Sequence, residues 1–404
     1  VPGLYDAFGT DGFDELYNVY ERDESIPRKT IGAQELFLDI LKERAETGRL
    51  YIMNIDHCNS HSSFLDKVEM SNLCQEITLP TRPLQHIDGD GEIALCILSA
   101  VNIGKIRDLD DLESLCDLAV RALDELIDFQ GYPIKAAEIA TKARRSLGIG
   151  YIGLAHYLAK HGHQYDSQDA WQAVHDLTEA FQYYLIQATV NLAKEKGACE
   201  YSHRTKYGNG ILPIDTYKKD VDEIVPNELK YDWEGLRALV KQYGVRNSTL
   251  SAQMPSESSS VVSNATNGIE PPRAFLSVKK SKKGVLKQIV PQYQSLKNAY
   301  TLLWEMKSNR GYINVVAVMQ KFFDQAISGN WSYNPTQYPN NEIPISVWAQ
   351  DLLTTYKYGW KTSYYQNTYD SKNDEVEETT NQSLDDLISQ IENAEEEDCE
   401  SCKI

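Results

Sequence analysis

A thiol, an amide and a carboxylate alternate along one short polar segment of the chain. Asn72, Cys74 and Glu76 are separated by single residues within the run Ser-Asn-Leu-Cys-Gln-Glu at 71–76. In an extended segment, side chains two positions apart point to the same face. The spacing therefore predicts a face that presents an amide, a thiol and a carboxylate, an arrangement suited to sulfur redox chemistry.

Three further cysteines lie in settings that favour redox chemistry. Cys96 lies in an apolar run, and Cys399 and Cys402 form a Cys-x-x-Cys pair near the end of the chain. Such a pair readily forms a reversible disulfide. Seven cysteines in 404 residues do not resemble a secreted disulfide framework. These patterns predict working thiols in a reducing compartment, and we expect the protein to be cytoplasmic.

The charge of the chain is concentrated at one end. Residues 370–404 contain 13 acidic and two basic residues, so this segment holds −11 of the total −19 and leaves −8 for residues 1–369. It has too little apolar surface to form a core, which predicts a flexible arm. The acidic balance argues against nucleic-acid binding. No leader and no apolar stretch long enough for a membrane helix is recognised, so no membrane partner is expected.

Two other motifs allow both a structural and a chemical interpretation. A Pro-Ser-Glu-Ser-Ser-Ser run at 255–260 follows a strand-like segment, where it either caps a helix or offers N–H groups and hydroxyls to a phosphate. Tyr364 and Tyr365 are either ordinary strand aromatics on opposite faces or, if the strand is irregular, a stacked pair. The residues of the serine run that would hold phosphate are Ser256, Glu257, Ser258 and Ser259.

Several other motifs are predicted to be structural. The Gly-rich string at 148–153 follows no buried strand, so we do not predict a dinucleotide site there. His57, Cys58 and His61 lack the further ligand pair that a structural zinc site requires. Cys116 lies on the apolar stripe of a predicted helix and is expected in the core.

Hydrophobic periodicity predicts an α/β fold with a buried sheet. The predicted helices cover 108–129, 166–196, 232–243, 294–306 and 315–328. The predicted strands cover 49–55, 93–101, 248–254, 274–278 and 361–366. The lysine-rich run at 279–284 is predicted to be a solvated hairpin turn.

Over residues 1–404 the sequence resembles the large, catalytic subunit of class I ribonucleotide reductase. The motifs that support this resemblance occur in family order at 71–76, 91–96, 255–259, 264–273, 364–368 and the cysteine-containing end. The resemblance implies an α/β fold, namely the second half of a ten-stranded α/β barrel with an interior finger loop, many surrounding helices and a flexible C-terminal tail. It divides the chain into a helical lead-in with a strand from the end of the first half-barrel (1–55), a finger-loop region (56–90), a second half-barrel (91–369) and an acidic redox tail (370–404).

The resemblance also implies a role for each candidate residue in the reduction of ribonucleoside diphosphates. Cys74 would form a thiyl radical that abstracts the 3′-hydrogen, Glu76 would accept the 3′-hydroxyl proton, and Asn72 would hold the ribose hydroxyls. Cys96 would supply electrons by forming a disulfide. The remaining assignments are diphosphate binding by Ser256, Glu257, Ser258 and Ser259, radical transfer through Tyr365 and then Tyr364, and re-reduction by Cys399 and Cys402.

The implied partners are a small subunit whose metal-tyrosyl cofactor generates the radical, and thioredoxin or glutaredoxin; no cofactor is expected on this chain itself. The family's second reducing cysteine has no matching motif here, so we predict that a separate polypeptide supplies it with the N-terminal half; an excised fragment would look the same. Two alternatives stay open: a non-catalytic assembly module derived from the reductase, and a thiol–disulfide oxidoreductase acting only through its tail cysteines. The presence of Asn72, Cys74, Glu76, Cys96 and the tyrosine pair argues against the non-catalytic assembly module.

Overall fold

The structure is a computed structural model that describes residues 1–370 except Pro2, Asp11, Ile87, Asp88, Asp90, Cys96, Lys282 and Lys283. Of the other residues in 278–286, the backbone alone is described. Three predicted redox residues, Cys96, Cys399 and Cys402, therefore lie outside the described residues.

Helices and short strands alternate along the chain. The α-helices are α1 (Leu4–Ala7), α2 (Gly12–Arg22), α3 (Ala33–Thr47), α4 (Ile55–Ser60), α5 (Asp111–Phe129), α6 (Lys135–Arg144), α7 (Leu154–Lys160), α8 (Gln168–Lys196), α9 (Pro213–Thr216), α10 (Trp233–Tyr243), α11 (Glu257–Val262), α12 (Tyr293–Leu296), α13 (Arg310–Gln320) and α14 (Ile345–Lys357). The strands are β1 (Ile52–Met53), β2 (Leu98–Asn102), β3 (Gly148–Ile152), β4 (Leu276–Ser281), β5 (Gly284–Ile289), β6 (Trp331–Tyr333), β7 (Thr362–Ser363) and β8 (Gln366–Thr368).

Four successive extended segments run parallel to one another in sequence order. Strand β2 pairs with β3 in parallel, β3 bridges to segment 249–253, and that segment bridges in parallel to segment 325–329. Helices lie between each segment and the next, as is usual for crossover connections between parallel strands. Strand β1, by contrast, pairs antiparallel with β7. The observed order is that of an α/β fold and confirms the predicted fold class.

The long helix α8 lies at the centre of the core. It begins after Ser167, whose hydroxyl accepts the N–H of Ala170 at 3.2 Å, and it ends at Gly197, whose φ is 86°. It packs against α5, and α13 contributes a stretch that is buried without interruption from Gly311 to Gln320. A helix buried all round must be apolar or internally paired on every face, which explains why α13 shows weak amphipathic periodicity.

The sequence-based boundaries of three helices agree closely with the structure. The predicted helices at 108–129, 166–196 and 232–243 correspond to α5, α8 and α10. The lysine-rich run at 279–284, predicted as a turn, is mostly strand, because β4 extends to Ser281 and pairs antiparallel with β5 from Gly284. Lys282 and Lys283 lie outside the described residues.

Two helix predictions are wrong because tertiary hydrogen bonds hold the chain in other conformations. The prediction at 294–306 fails after Leu296, since the Leu303 N–H donates to the Pro272 carbonyl at 2.8 Å. The prediction at 315–328 extends past the end of α13. Beyond that end the Asp324 carboxylate accepts the backbone N–H groups of Leu250 and Ser251, which holds segment 325–329 against segment 249–253.

The Gly-rich string at 148–153 is itself a buried strand, β3, which the sequence analysis did not predict. Its glycines are needed for close packing: a Cβ on Gly150 would lie 2.7 Å from the Ala252 carbonyl oxygen, and one on Gly148 would lie 2.6 Å from a Leu98 methyl. Most of the predicted strands were also too long, whereas the one at 274–278 corresponds to the longer β4. In place of 93–101 the structure has β2 from Leu98, and segment 248–254 forms bridges without a regular ladder. In the described part of the chain, no helix is long and apolar enough to cross a membrane.

Candidate active site

The segment that carries Asn72, Cys74 and Glu76 is a turn, so the predicted extended face is wrong. The Asn72 Oδ1 accepts the Ile77 N–H at 3.1 Å, and the Asn72 carbonyl accepts the Gln75 N–H at 3.2 Å. Gln75 has a left-handed backbone with φ 69°. These bonds close a tight loop at 72–77, which we call the finger loop. The alternation of side chains expected for an extended segment does not apply to it.

The thiol of the finger loop contacts the tyrosine pair. The Tyr364 hydroxyl donates to the Cys74 Sγ at 3.4 Å. The ring centroids of Tyr364 and Tyr365 are 4.2 Å apart, with the ring planes inclined at 53°. Cys74, Tyr364 and Tyr365 therefore form a continuous row of redox-capable side chains.

The two tyrosine rings can meet because the chain is irregular at this point. Strand β7 ends at Ser363 and β8 begins at Gln366, and the two strands pair with different partners, β1 and β6. A regular strand would direct the rings to opposite faces. The irregularity that the stacked interpretation required is present between the two strands, but the rings are tilted and not stacked.

A buried arginine, Arg44, holds the backbone of the tyrosine pair. Its guanidinium donates to the Tyr364 carbonyl at 2.8 Å, to the Tyr365 carbonyl at 3.4 Å and also to the Leu50 carbonyl. It lies over the Trp331 ring, 4.8 Å from the centroid. Burial lowers the pKa of Arg44 to about 10, so it remains charged at neutral pH. Nothing in the sequence singled out this residue.

Ser328 connects the finger loop to the parallel segments. Its Oγ lies 2.5 Å from the Cys74 carbonyl oxygen, to which it donates, and 3.1 Å from a Glu76 carboxylate oxygen. The Ala326 N–H donates to the Glu76 carbonyl at 3.0 Å. Glu76 is buried, with 2% of its surface exposed. These contacts hold a carboxylate at the base of the loop that presents the thiol.

The serine run begins a short helix next to the same parallel segment. Gln253 exchanges backbone hydrogen bonds with Ala326 and Ser328, at 3.1 and 2.9 Å, and α11 begins four residues later. Ser256 is buried and its Oγ donates to the Met254 carbonyl at 3.0 Å. Glu257, Ser258 and Ser259 are exposed. The finger loop and the serine run thus flank segment 325–329.

The hydroxyl groups of Tyr364 and Tyr365 lie in different environments. Burial raises the pKa of Tyr364, and its hydrogen bond to Cys74 adds to the increase. The pKa of Tyr365 is lowered, chiefly by its polar contact with the Tyr51 hydroxyl and also by that with the Tyr364 hydroxyl. Tyr51 was not recognised from sequence, although the antiparallel alignment of predicted strands 49–55 and 361–366 would have placed it there.

The residues predicted to be structural make internal contacts. His57 Nδ1 lies 2.8 Å from the Trp360 carbonyl oxygen, and His61 Nε2 lies 2.8 Å from that of Gln320. Cys116 is fully buried in the core, as predicted. Across the described residues, no cluster of three or more His, Cys, Asp or Glu side chains is placed to hold a metal ion.

Comparison with known proteins identifies the family. A family model described as "Ribonucleotide reductase, barrel domain" matches residues 1–298 and 288–366. The chain is 56% identical over 384 residues to the ribonucleoside-diphosphate reductase subunit alpha of Haemophilus influenzae, covering 94% of this chain and 51% of that protein. It is 54% identical over 412 residues to ribonucleoside-diphosphate reductase 1 subunit alpha of Escherichia coli, covering 100% and 53%.

A viral relative shows the same pattern of coverage. The ribonucleoside-diphosphate reductase subunit alpha of Enterobacteria phage T4 is 42% identical over 401 residues, covering 98% of this chain and 51% of the relative. The chain spans about half the length of the curated relatives it matches. The row of sulfur and phenol groups, the parallel segments around it and the family match lead to one conclusion: this chain belongs to the ribonucleotide reductase barrel domain family.

Proposed function

We propose that this chain forms the catalytic part of a ribonucleoside-diphosphate reductase, which converts ribonucleoside diphosphates to 2′-deoxyribonucleoside diphosphates by thiyl-radical chemistry. The observation that supports this most directly is the 3.4 Å contact between the Tyr364 hydroxyl and the Cys74 Sγ, with the Tyr365 ring 4.2 Å beyond. A thiol at the end of two contacting phenols is placed to be oxidised by one electron.

The radical would reach the thiol by hydrogen-atom transfer. A phenoxyl radical on Tyr364 takes the hydrogen of the Cys74 thiol, so that the S–H bond breaks and the phenol O–H bond forms. The oxidising equivalent comes through Tyr365 from a small radical-generating subunit with a metal-tyrosyl cofactor. Short contacts favour this route, because transfer of a proton with its electron requires hydrogen-bond distance.

The sugar chemistry would use the two polar residues of the finger loop. The Cys74 thiyl radical takes the 3′-hydrogen, and Glu76 accepts the proton of the 3′-hydroxyl as a general base. Asn72 Oδ1 already accepts the Ile77 N–H at 3.1 Å, so its NH₂ group is the part that would donate to a ribose hydroxyl. The 2′-hydroxyl then takes a proton from one of the reducing thiols and leaves as water. Ser256, Glu257, Ser258 and Ser259 would hold the diphosphate, largely through backbone N–H groups.

Two electrons are required for each deoxyribonucleotide, and a thiol pair would supply them by forming a disulfide. We assign one of these thiols to Cys96. Cys399 and Cys402 would reduce the disulfide by thiol exchange and would then be reduced by thioredoxin or glutaredoxin.

The complete enzyme requires more than this chain. Its relatives are about twice as long, so the second reducing thiol and the other half of the barrel would come from a further region or from a separate polypeptide. The division into 1–55, 56–90, 91–369 and 370–404 belongs to the same proposal. The antiparallel pairing of β1 with β7 supports the assignment of 1–55 to the other half-barrel.

The decisive experiment measures nucleotide reduction by the reconstituted assembly of both halves, the small subunit and a dithiol reductant. Cys74→Ser and Tyr364→Phe are each expected to abolish turnover, because neither a serine hydroxyl nor a phenylalanine ring can transfer the hydrogen atom. Cys199→Ala is the matched control, since Cys199 is buried and lies outside the site.

Retention of turnover by Cys74→Ser would contradict the proposal. Reduction of a disulfide substrate through Cys399 and Cys402, without any nucleotide reduction by the wild-type assembly, would favour a thiol–disulfide oxidoreductase instead.

A further inference from the structure

Ser328 joins the two reactive residues of the finger loop through a single hydroxyl. Its Oγ lies 2.5 Å from the Cys74 carbonyl oxygen and 3.1 Å from the Glu76 Oε2. Ser328 is buried, with 7% of its surface exposed, and so is Glu76, with 2% exposed. Because water has little access to these atoms, the hydroxyl is a lasting connection between the backbone of the thiol residue and the carboxylate.

The backbone around Ser328 is held by neighbouring segments on both sides. The Ser328 N–H donates to the Gln253 carbonyl at 2.9 Å, and the Tyr364 N–H donates to the Gly329 carbonyl at 2.8 Å. A short side chain on a backbone fixed in this way has few positions for its oxygen. The segment that holds the backbone of Tyr364 therefore also places the hydroxyl that contacts the finger loop.

The two distances indicate where the hydroxyl proton lies. A serine hydroxyl has one proton, so it can donate fully to only one of the two oxygens. A hydroxyl that donates to a carboxylate normally lies about 2.5–2.7 Å from it. The Glu76 oxygen is further away, at 3.1 Å, whereas the Cys74 carbonyl oxygen lies at 2.5 Å. The proton is therefore directed at the Cys74 carbonyl, and the carboxylate remains able to accept a proton.

We propose that Ser328 is a positioning residue for the first step on the sugar: it ties the backbone of Cys74 and the carboxylate of Glu76 to one oxygen, so that the sulfur and the general base keep a fixed separation. This inference rests on the proposed function. In that step the 3′ C–H bond breaks as the Cys74 S–H bond forms, and the 3′-hydroxyl proton forms an O–H bond with Glu76. Ser328 itself neither gains nor loses a proton or an electron.

A fixed separation matters because the two groups act on bonded atoms of the ribose, C3′ and its oxygen. A shift of the base relative to the sulfur would leave one of them out of reach, and small misplacements of reacting groups lower rates strongly. Among the described residues, the Ser328 hydroxyl bonds to the finger loop and not to the serine run that would hold the diphosphate. Substrate binding should therefore be separable from the reaction.

The test compares Ser328→Ala and Ser328→Thr in the reconstituted assembly described above, with a ribonucleoside diphosphate and its 3′-deuterated form as substrates. Ser328→Ala removes the hydroxyl, so kcat is expected to fall about tenfold, the rate equivalent of one hydrogen bond, while KM stays unchanged. The 3′-deuterium isotope effect on kcat/KM should rise or stay fully expressed, because the slowed step is C–H cleavage. Ser328→Thr keeps the hydroxyl and should recover most of kcat.

Ser146→Ala is the matched control, because Ser146 is also buried and its hydroxyl bonds to that of Ser248 rather than to the finger loop. It should keep the wild-type kcat. The inference is overturned if Ser328→Ala has wild-type kcat, if it raises KM alone, or if its isotope effect falls towards one, which would place the loss in another step.

Thermal unfolding of each variant identifies a loss caused by misfolding. Ser328→Ala removes a single atom, and its isotope effect does not depend on the fraction of protein that is folded, so this variant decides. If Cys74→Ser still turns over, the proposed function itself is wrong, whatever Ser328→Ala does.

Discussion

Arg44 shows how one buried side chain can fix the geometry of a reactive pair. A guanidinium taken out of water must find acceptors, and here the acceptors are backbone carbonyls at Leu50, Tyr364 and Tyr365. Because each carbonyl carbon is bonded to the Cα of its own residue, this cation holds the backbone from which both phenol rings extend.

Replacing Arg44 should therefore affect both stability and catalysis. Arg44→Met keeps most of the apolar stem but leaves buried carbonyls without their donors, which is expected to cost about 2–4 kcal/mol of unfolding free energy. We also expect kcat for nucleotide reduction to fall. Denaturant unfolding and steady-state turnover measure the two effects.

Arg28→Met provides the control, because Arg28 also donates to two backbone carbonyls, those of Glu21 and Asp23, but does so on the surface. That variant should lose less than about 0.5 kcal/mol. Equal losses in the two variants would show that burial of the Arg44 contacts is not what matters.

Among the secondary-structure elements, β3 depends most visibly on the absence of side chains. It lies between β2 and segment 249–253, and a Cβ at Gly150 would approach the Ala252 carbonyl oxygen to 2.7 Å. Backbone atoms in the middle of a buried sheet cannot move aside as a flexible side chain can. Glycine is required here for close approach of the chains and not for an unusual φ.

Gly150→Ala is accordingly expected to destabilise the protein by about 1–3 kcal/mol through overpacking. Gly131→Ala is the control, since no heavy atom lies within 4 Å of a Cβ at that position. The control should be neutral or stabilising by up to about 1 kcal/mol, because alanine reduces the entropy of the unfolded chain. Equilibrium unfolding in guanidinium measures both, and a neutral Gly150→Ala would contradict the packing account.

The elements that sequence could predict are those whose hydrophobic pattern is one-sided. Helix α5 has a buried stripe and an exposed face, and its extent was predicted to within a few residues. Strand β3 was missed because a Gly-rich string has low strand propensity, and the interactions that make it a strand lie in β2 and segment 249–253. The end of α13 was missed for a related reason, since Asp324 binds two backbone N–H groups about 70 residues earlier in the chain.

At the scale of the whole molecule, a buried lysine makes unfolding depend on pH. Lys361 Nζ donates to the carbonyls of Phe323, Asp324 and Gln325, at 3.2, 2.9 and 2.8 Å, and so joins the end of α13 to the segment before β7. Burial lowers its pKa from 10.5 to about 7. Between these values the unfolded chain binds a proton at Lys361 that the folded protein does not.

The sign of the effect follows from proton linkage. Where the unfolded state binds more protons, unfolding free energy rises with pH. Stability should therefore increase from about pH 7 towards 10.5, and Lys361→Met should remove this increase relative to wild type. Guanidinium unfolding at pH 7 and pH 9 compares the two slopes.

Lys142→Met is the control, because a hydrogen bond with Glu138 raises the pKa of Lys142. The protonation of Lys142 therefore differs between the folded and unfolded states only above about pH 10.5. The slope of unfolding free energy between pH 7 and pH 9 should stay that of wild type. If Lys361→Met also keeps the wild-type slope, Lys361 is not the source of the pH dependence.

The candidate site was predictable only in part, and the division has a physical basis. Cys74, Glu76 and the tyrosine pair belong to short local motifs, so their residue types were enough to predict redox chemistry. Arg44, Tyr51 and Ser328 belong to the site only because distant segments pack together, and each has many ordinary uses at its own place in the sequence. An extended face was predicted at 71–76 because a pattern of alternating residues does not reveal the hydrogen bond that closes the loop, from the Ile77 N–H to the side chain of Asn72.

The placement of Tyr364 and Tyr365 between β7 and β8 has a consequence for evolution and engineering. Strand β7 pairs with β1 and strand β8 pairs with β6, so both ends of the two-residue connection are held by strand pairing. Substitutions of similar shape can be accommodated there, whereas an insertion or deletion of one residue would rotate one phenol away from the other. We expect the fold to accommodate a substitution of similar shape at Tyr364 or Tyr365 far more readily than a change of length between Ser363 and Gln366.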